Sequence, residues 1–197
     1  DHDTPRMPRG PVVLPGRFSI RLSVNGKTYT APLVVRMDPR ITATGSELAS
    51  QFSLAMDLYA AMDRTHDVLA QLRSVRMQVK GIEAHATGAA ADTLAALDTA
   101  LGALATGADG LAPTIGEIGG VYGIVEGADA APTSQAALAA HRLDRQAARL
   151  QSRWSALRGR IVRTNSTLTA AGLPAIDISS VPGPDAKAPE AAHVDED

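Results

Sequence analysis

The chain has 197 residues, 45 % of them apolar but only 3 % aromatic, and a net charge of −2. That charge gives no global case for nucleic acid or an anionic membrane as partner, and the absence of cysteine removes disulfides, thiolate zinc sites and cysteine nucleophiles together. Alanine dominates the apolar residues, so the expected core is one of closely approaching helices and not of large rings.

Residues 1–16 hold four prolines, Pro5, Pro8, Pro11 and Pro15. They read as an extended lead-in in which Pro11-Val12-Val13-Leu14 is a candidate edge strand, where proline is tolerated. Residues 17–40 read as a β-hairpin. Phe18, Ile20, Leu22 and Val24 alternate with Arg17, Ser19, Arg21 and Ser23, the period of a half-buried strand. Asn25-Gly26 best tolerates the two positive φ angles of a type I′ turn, and Tyr29, Ala31, Leu33 and Val35 alternate on the return strand. Two strands alone are marginal in water. The hairpin is therefore expected to complete a sheet with the first residues, with the helices, or with another chain.

Residues 44–172 read as a helical bundle. Thr44-Gly45-Ser46-Glu47 is a capping-box pattern, opening a helix expected to run to about Lys80 with Gly81 as C-cap. Its apolar positions Phe52, Ala55, Tyr59, Met62, Leu69 and Val79 place His66 on the same stripe. A second helix is expected over Ala84 to Leu104, with Leu94, Leu97, Leu101 and Leu104 spaced three, four, three, and Thr106 to Gly110 breaks it. A third, from about Thr114 to Glu126, carries Ile115, Ile118, Tyr122 and Val125 on one side. Gly116, Gly119, Gly120 and Gly123 each cost ~1 kcal/mol there relative to alanine, and are expected to permit close backbone approach to a neighbour. The last helix repeats Ala136, Ala140, Leu143, Ala147, Leu150, Trp154, Leu157, Ile161, Thr164, Leu168 and Ala171 in a four-three alternation, a coiled-coil-like seam. Pro132 precedes it, and Gly172 and Pro174 end it. The first and last helices, nearly equal in length, are expected to pack antiparallel, in a bundle of three or four helices.

Residues 173–197 turn to proline and acid, with Asp177, Asp185, Glu190, Asp195, Glu196 and Asp197, and read as a disordered or draped tail. The start at Asp1-His2-Asp3 suggests a processed product or a fragment of a longer precursor. No apolar run approaches the ~18 residues of a membrane span.

Candidate chemistry is sparse. Asp57 and Asp63 lie near the apolar stripe of the first helix, where solvated helix-face charges are the plainer reading. His2, His66, His85, His141 and His193 show no H-x-x-x-H or H-E-x-x-H spacing, so no metal and no cofactor is expected; His66 is expected to be a hydrogen-bonded core residue. No serine sits in G-x-S-x-G, and the glycines at 116–123 do not match a phosphate-binding loop. Asn165-Ser166-Thr167 matches the glycosylation triplet and reads as chance inside a helix. The last helix carries Arg142, Arg145, Arg149, Arg153, Arg158, Arg160 and Arg163 against one acid, Asp144. The plain reading is a solvated face partly paired with acids of the first helix or the tail; the functional one is a basic strip meeting an anionic partner. Nucleic acid is the weakest such partner, because no aromatics interleave with the arginines.

The run PGRFSIRLSVNGKTYTAPLVVRMDPRI, from Pro15, resembles the end of the Ig-like segment that follows the β-propeller in bacterial sortilin-like (BNR/sialidase-type repeat) proteins. GEIGGVYGIVEGADAAPTSQAALAAH, Gly116 to His141, and RWSALRGRIVRTNSTLTAAGLPAIDI, Arg153 to Ile178, are similar to that family's helical C-terminal region. The propeller and its Asp-box repeats are absent from this sequence, so no catalytic residue carries over. The resemblance implies an Ig-like strand pair plus a helical bundle in an exported, periplasmic or extracellular setting. The expected function is a non-catalytic interaction module, a structural or accessory subunit of a larger complex, for which a membrane-bound photosynthetic reaction centre is one conceivable host. Tyr29 and Leu33 on the hairpin, with Arg142, Arg145, Arg149 and Arg153, are the expected partner-binding residues. The partners are other protein subunits, with peripheral membrane contact allowed and neither nucleic acid nor a transmembrane segment expected. The rival implication is the C-terminal stabilising or dimerising part of a propeller-type hydrolase.

Overall fold

A computed structural model describes residues 10–178. The chain is mainly helical: a two-stranded antiparallel hairpin, β1 (Gly16–Val24) and β2 (Lys27–Val35), precedes α1 (Gly45–Glu83), α2 (Gly88–Thr106), α3 (Leu111–Glu126) and α4 (Ser134–Ala170). It divides into two units. The first takes the residues up to Ala60 together with Ile118–Arg142; the second takes Ala61–Glu117 and the residues from Leu143 on.

In the first unit the hairpin forms with the expected turn. Asn25 and Gly26 have φ of 50° and 74°, and the register runs without a break from Val24↔Lys27 to Gly16↔Val35. Ser23 and Thr28, directly opposite one another, share a hydroxyl hydrogen bond of 3.2 Å. Beyond β2, the Asp38 carboxylate accepts the Arg40 backbone N–H at 2.9 Å and Arg40 Nε at 3.0 Å, an Asx-type turn. These bonds, led by the one from the Arg40 side chain, hold the Asp38 carboxyl below its ordinary pKa. The capping box is real: Glu47 N–H donates to Thr44 Oγ1 and Thr44 N–H donates to Glu47 Oε2. Leu48, Ala55 and Leu58 of α1, Ile118 and Val125 of α3, and Ala136 and Ala140 of α4 supply the buried apolar residues. Gln51, also buried, donates through Nε2 to the carbonyls of Val125 (2.7 Å) and Ala128 (2.6 Å), satisfying acceptors that the end of α3 leaves open.

The expected edge strand at residues 11–14 does not form. The Val12 N–H instead donates to Glu126 Oε2 at 3.0 Å, so a side chain and not a ladder takes its donor. The glycines of α3 do not serve close approach either. Among the described residues, a Cβ at Gly116, Gly119, Gly120 or Gly123 would meet nothing within 4 Å, because these glycines lie away from the side that buries Ile118 and Val125.

The second unit has the larger core. Leu72, Val75 and Val79 of α1 and the whole Leu94, Leu97, Leu101, Leu104 stripe of α2 are buried with Leu150, Trp154, Ile161 and Leu168 of α4. Trp154 Nε1 donates to Gln71 Oε1 at 3.0 Å, which pairs the one polar atom of the indole. The α4 seam is buried as the heptads predict, with Leu157 only partly so and Ala171 exposed beyond the helix end. Gly172 at φ 71° closes the helix: its N–H bonds to Thr169 O and that of Leu173 to Leu168 O, the paired bonds of a Schellman motif.

Three expectations change here. The first helix passes Gly81 and ends at Glu83, since Ile82 still reaches the core; α2 starts correspondingly later. His66 is exposed, and the buried stripe runs through Thr65, Val68 and Leu72 beside it. Finally, α1 and α4 run parallel in this unit, since Arg64 pairs with Asp144 and, further along both helices, Gln71 with Trp154. The antiparallel neighbour of α1 is α2, joined to it by a short link and tied to it by Arg76 and Lys80 on Asp98.

Residues 173–178, after α4, run without helix or strand. Ile176 is buried, and the Asn165 carboxamide brackets its backbone, accepting its N–H at 2.8 Å and donating to its carbonyl at 2.9 Å. Gln78 makes the same two bonds to Asp177. The tail acids Asp185, Glu190, Asp195, Glu196 and Asp197, like His2, His193, Pro5 and Pro8, lie outside the described residues.

Candidate interaction surfaces

The hairpin exposes the face that its alternation marks as apolar. Cross-strand partners share a face, so the register Phe18↔Leu33, Ile20↔Ala31, Leu22↔Tyr29 gathers those side chains on one side of the sheet. Ile20 is 50 %, Leu22 57 %, Tyr29 58 % and Leu33 41 % exposed. Only Gly16, Phe18 and Val35, at the open end, are partly covered. The half-buried strands read from the sequence are therefore open to solvent over most of their length. The expected residues Tyr29 and Leu33 both belong to this face; Ile20 and Leu22, equally legible from the alternation, belong with them.

On α4, Arg145, Arg149 and Arg153 follow at four-residue spacing and Arg160 and Arg163 continue the same side, away from the seam. Arg145 to Arg163 spans ~27 Å of helix. Arg142, exposed one turn earlier, falls in the first unit and makes an interaction of its own. Among the described residues Arg145, Arg149, Arg153, Arg160 and Arg163 have no ion pair. The expected pairing with first-helix acids is not seen there. The ion pair seen between these helices is reversed, the acid Asp144 of α4 bonding Arg64 of α1 at 3.3 Å. Like charges four apart on a helix destabilise it by ~0.2–0.5 kcal/mol per pair, so the row is kept at a small cost.

The cavities offer less. A cleft of about 220 Å³ in the first unit is lined by Val12, Val13, Met37, Leu48, Phe52 and Glu126 among others, but Glu126 already holds the Val12 amide. A cavity of about 30 Å³ beside Thr65, Val68 and Leu111 has room for little more than water. Burial, with the Glu126 charge and Tyr59 adding to it, raises the Tyr122 phenol above its ordinary pKa. Among the described residues no group of three histidines, aspartates or glutamates is arranged to hold a metal ion, and no helix is long and apolar enough to cross a membrane. No family model matches the chain, and neither a curated protein nor a solved structure matches it.

Proposed function

We propose that this chain is a non-catalytic interaction module, an exported structural or accessory subunit of a larger assembly. The observation that carries this reading is the exposed apolar face of the hairpin. Covering four side chains that are already half exposed contributes ~1 kcal/mol each. That total only approaches the lower end of the ~4–15 kcal/mol cost of association. Side-chain burial on the hairpin is then insufficient by itself, and backbone pairing or a second contact must add to it. Arg145, Arg149, Arg153, Arg160 and Arg163 of α4, without an ion pair among the described residues, supply a second surface, suited to an acidic protein face or to anionic headgroups at a membrane periphery.

The test is a native pull-down of the tagged full chain from membranes, with mass spectrometry of what is retained. A reproducible set of subunits, weakened by raised salt and by Arg149→Glu with Arg153→Glu, is the expected result. A monodisperse monomer that retains no stoichiometric protein at low salt would sink the reading. Retention unaffected by salt or by the two reversals would remove the arginines from it.

A further inference from the structure

The two free edges of the hairpin are not equivalent. A two-residue turn makes its flanking pair, Val24↔Lys27, a hydrogen-bonded one, and the unbroken register propagates that alternation to Gly16↔Val35. The backbone groups of Phe18, Ile20, Leu22 and Val24 thus face β2, and those of Arg17, Ser19, Arg21 and Ser23 face outward. On β2 the outward residues are Thr28, Thr30, Pro32 and Val34. Pro32 removes a donor from the middle of that edge and sets its ring where another backbone would lie. β1 has neither proline nor bulge in nine residues. Among the described residues nothing bonds to its outward amides and carbonyls.

The side chains select what such an edge accepts. From Gly16 to Val35 the hairpin carries Arg17, Arg21 and Lys27 and no acid. Arg17 and Arg21 stand on the polar face of β1, exposed and without an ion pair among the described residues. Ile20 and Leu22 stand exposed on the other face. A second copy of β1 laid alongside would gather four arginines on one face of the pair, and like charges crowded together there disfavour it. An acidic strand reverses that sign.

Building on the interaction-module reading, we propose that the outer edge of β1 accepts an extended strand of a partner protein whose residues alternate between acidic and apolar. Its backbone completes the open ladder, its acids meet Arg17 and Arg21, and its apolar residues extend the face of Ile20 and Leu22. This is strand addition, in which main-chain bonds supply affinity and alternate side chains supply specificity.

The probes are two nine-residue peptides, one alternating glutamate with valine and one alternating lysine with valine, titrated into the full chain. The glutamate peptide is expected to bind saturably, at least ~10-fold tighter than the lysine peptide. Ser19→Pro removes only an outward donor and mirrors Pro32 across the ladder. It is expected to weaken the glutamate peptide at least ~10-fold while NMR contacts between Leu22 and Tyr29 persist. Arg17→Glu with Arg21→Glu is expected to reverse the preference between peptides. Binding of neither peptide, equal binding of both, or full binding to a Ser19→Pro chain with its hairpin intact would overturn the proposal. Should Ser19→Pro lose the hairpin, an unreversed preference in the double arginine variant overturns it instead. A native partner retained equally by Ser19→Pro protein would refute the β1 edge while leaving the interaction-module reading in place.

Discussion

At the scale of single residues, three polar side chains tie segments together: Asn165, Gln78 and Asp98. Asn165 satisfies both backbone groups of buried Ile176, so truncating it strands a donor and an acceptor at a part-buried contact. Asn165→Ala is expected to cost ~1–3 kcal/mol in urea unfolding. Gln78→Ala, at an exposed pair of bonds to Asp177, should cost under ~1 kcal/mol. Asp98 receives Arg76 Nε at 2.7 Å and Lys80 Nζ at 3.0 Å, and Gly102 leaves room for the guanidinium, since a Cβ there would sit 3.2 Å from Arg76 Nη2. The Arg76 hydrogen bond, partly opposed by burial and helped by Lys80, holds the Asp98 carboxyl below its ordinary value. A carboxyl depressed in the folded state stabilises at pH above its unfolded value, ~3.9, and that stabilisation is lost as pH falls through the folded one. Asp98→Asn is therefore expected to lower stability by about 1 kcal/mol at pH 7, discounted for the half-open Arg76. The gap to the unmodified chain should close below about pH 4 in the same unfolding assay.

At the scale of elements, α3 is the one that departs most from what its composition suggests. Its glycines face open space, so each carries the backbone-entropy cost of glycine without a packing gain. Gly116→Ala, Gly120→Ala and Gly123→Ala should each raise stability by ~0.5–1 kcal/mol, read as an increase in denaturation midpoint; a loss would mean that the α3 surface is covered by something else. Sequence cannot separate a glycine that admits a neighbour from one that faces water, and that is why α3 was misread. The seam of α4 was legible because an uninterrupted heptad leaves only one stripe to bury. The stripe of α1 was not, since Gln51, Thr65 and Gln71 are buried in it. Their polarity is satisfied by partners distant in sequence or by the helix's own carbonyls, which no periodicity count detects. The parallel course of α1 and α4 was hidden for a similar reason: helix length says nothing about how many passes separate two helices.

At the scale of the whole chain, a net charge of −2 conceals a strong segregation. The hairpin holds three cations and no acid, and α4 holds seven arginines and one aspartate. The hairpin's apolar face and the arginine row of α4 were legible in the sequence as alternation and as arginine spacing, whereas exposure of the apolar face was not, because a period of two marks a face without saying whether anything covers it. That exposure has a consequence for stability. A strand pair that buries little of its own apolar surface contributes little to holding the helices, unlike the seam of α4, where Leu150 and Ile161 are buried. Replacing residues 16–35 by a short flexible linker is accordingly expected to move the thermal midpoint of the helical signal by no more than ~2–4 °C, the shift of about 1 kcal/mol in a chain of this size. Partner retention in the native pull-down should fall sharply in the same variant. A large drop in midpoint would mean that the hairpin is part of the first unit's core and would remove the reason for regarding it as a surface kept for another chain.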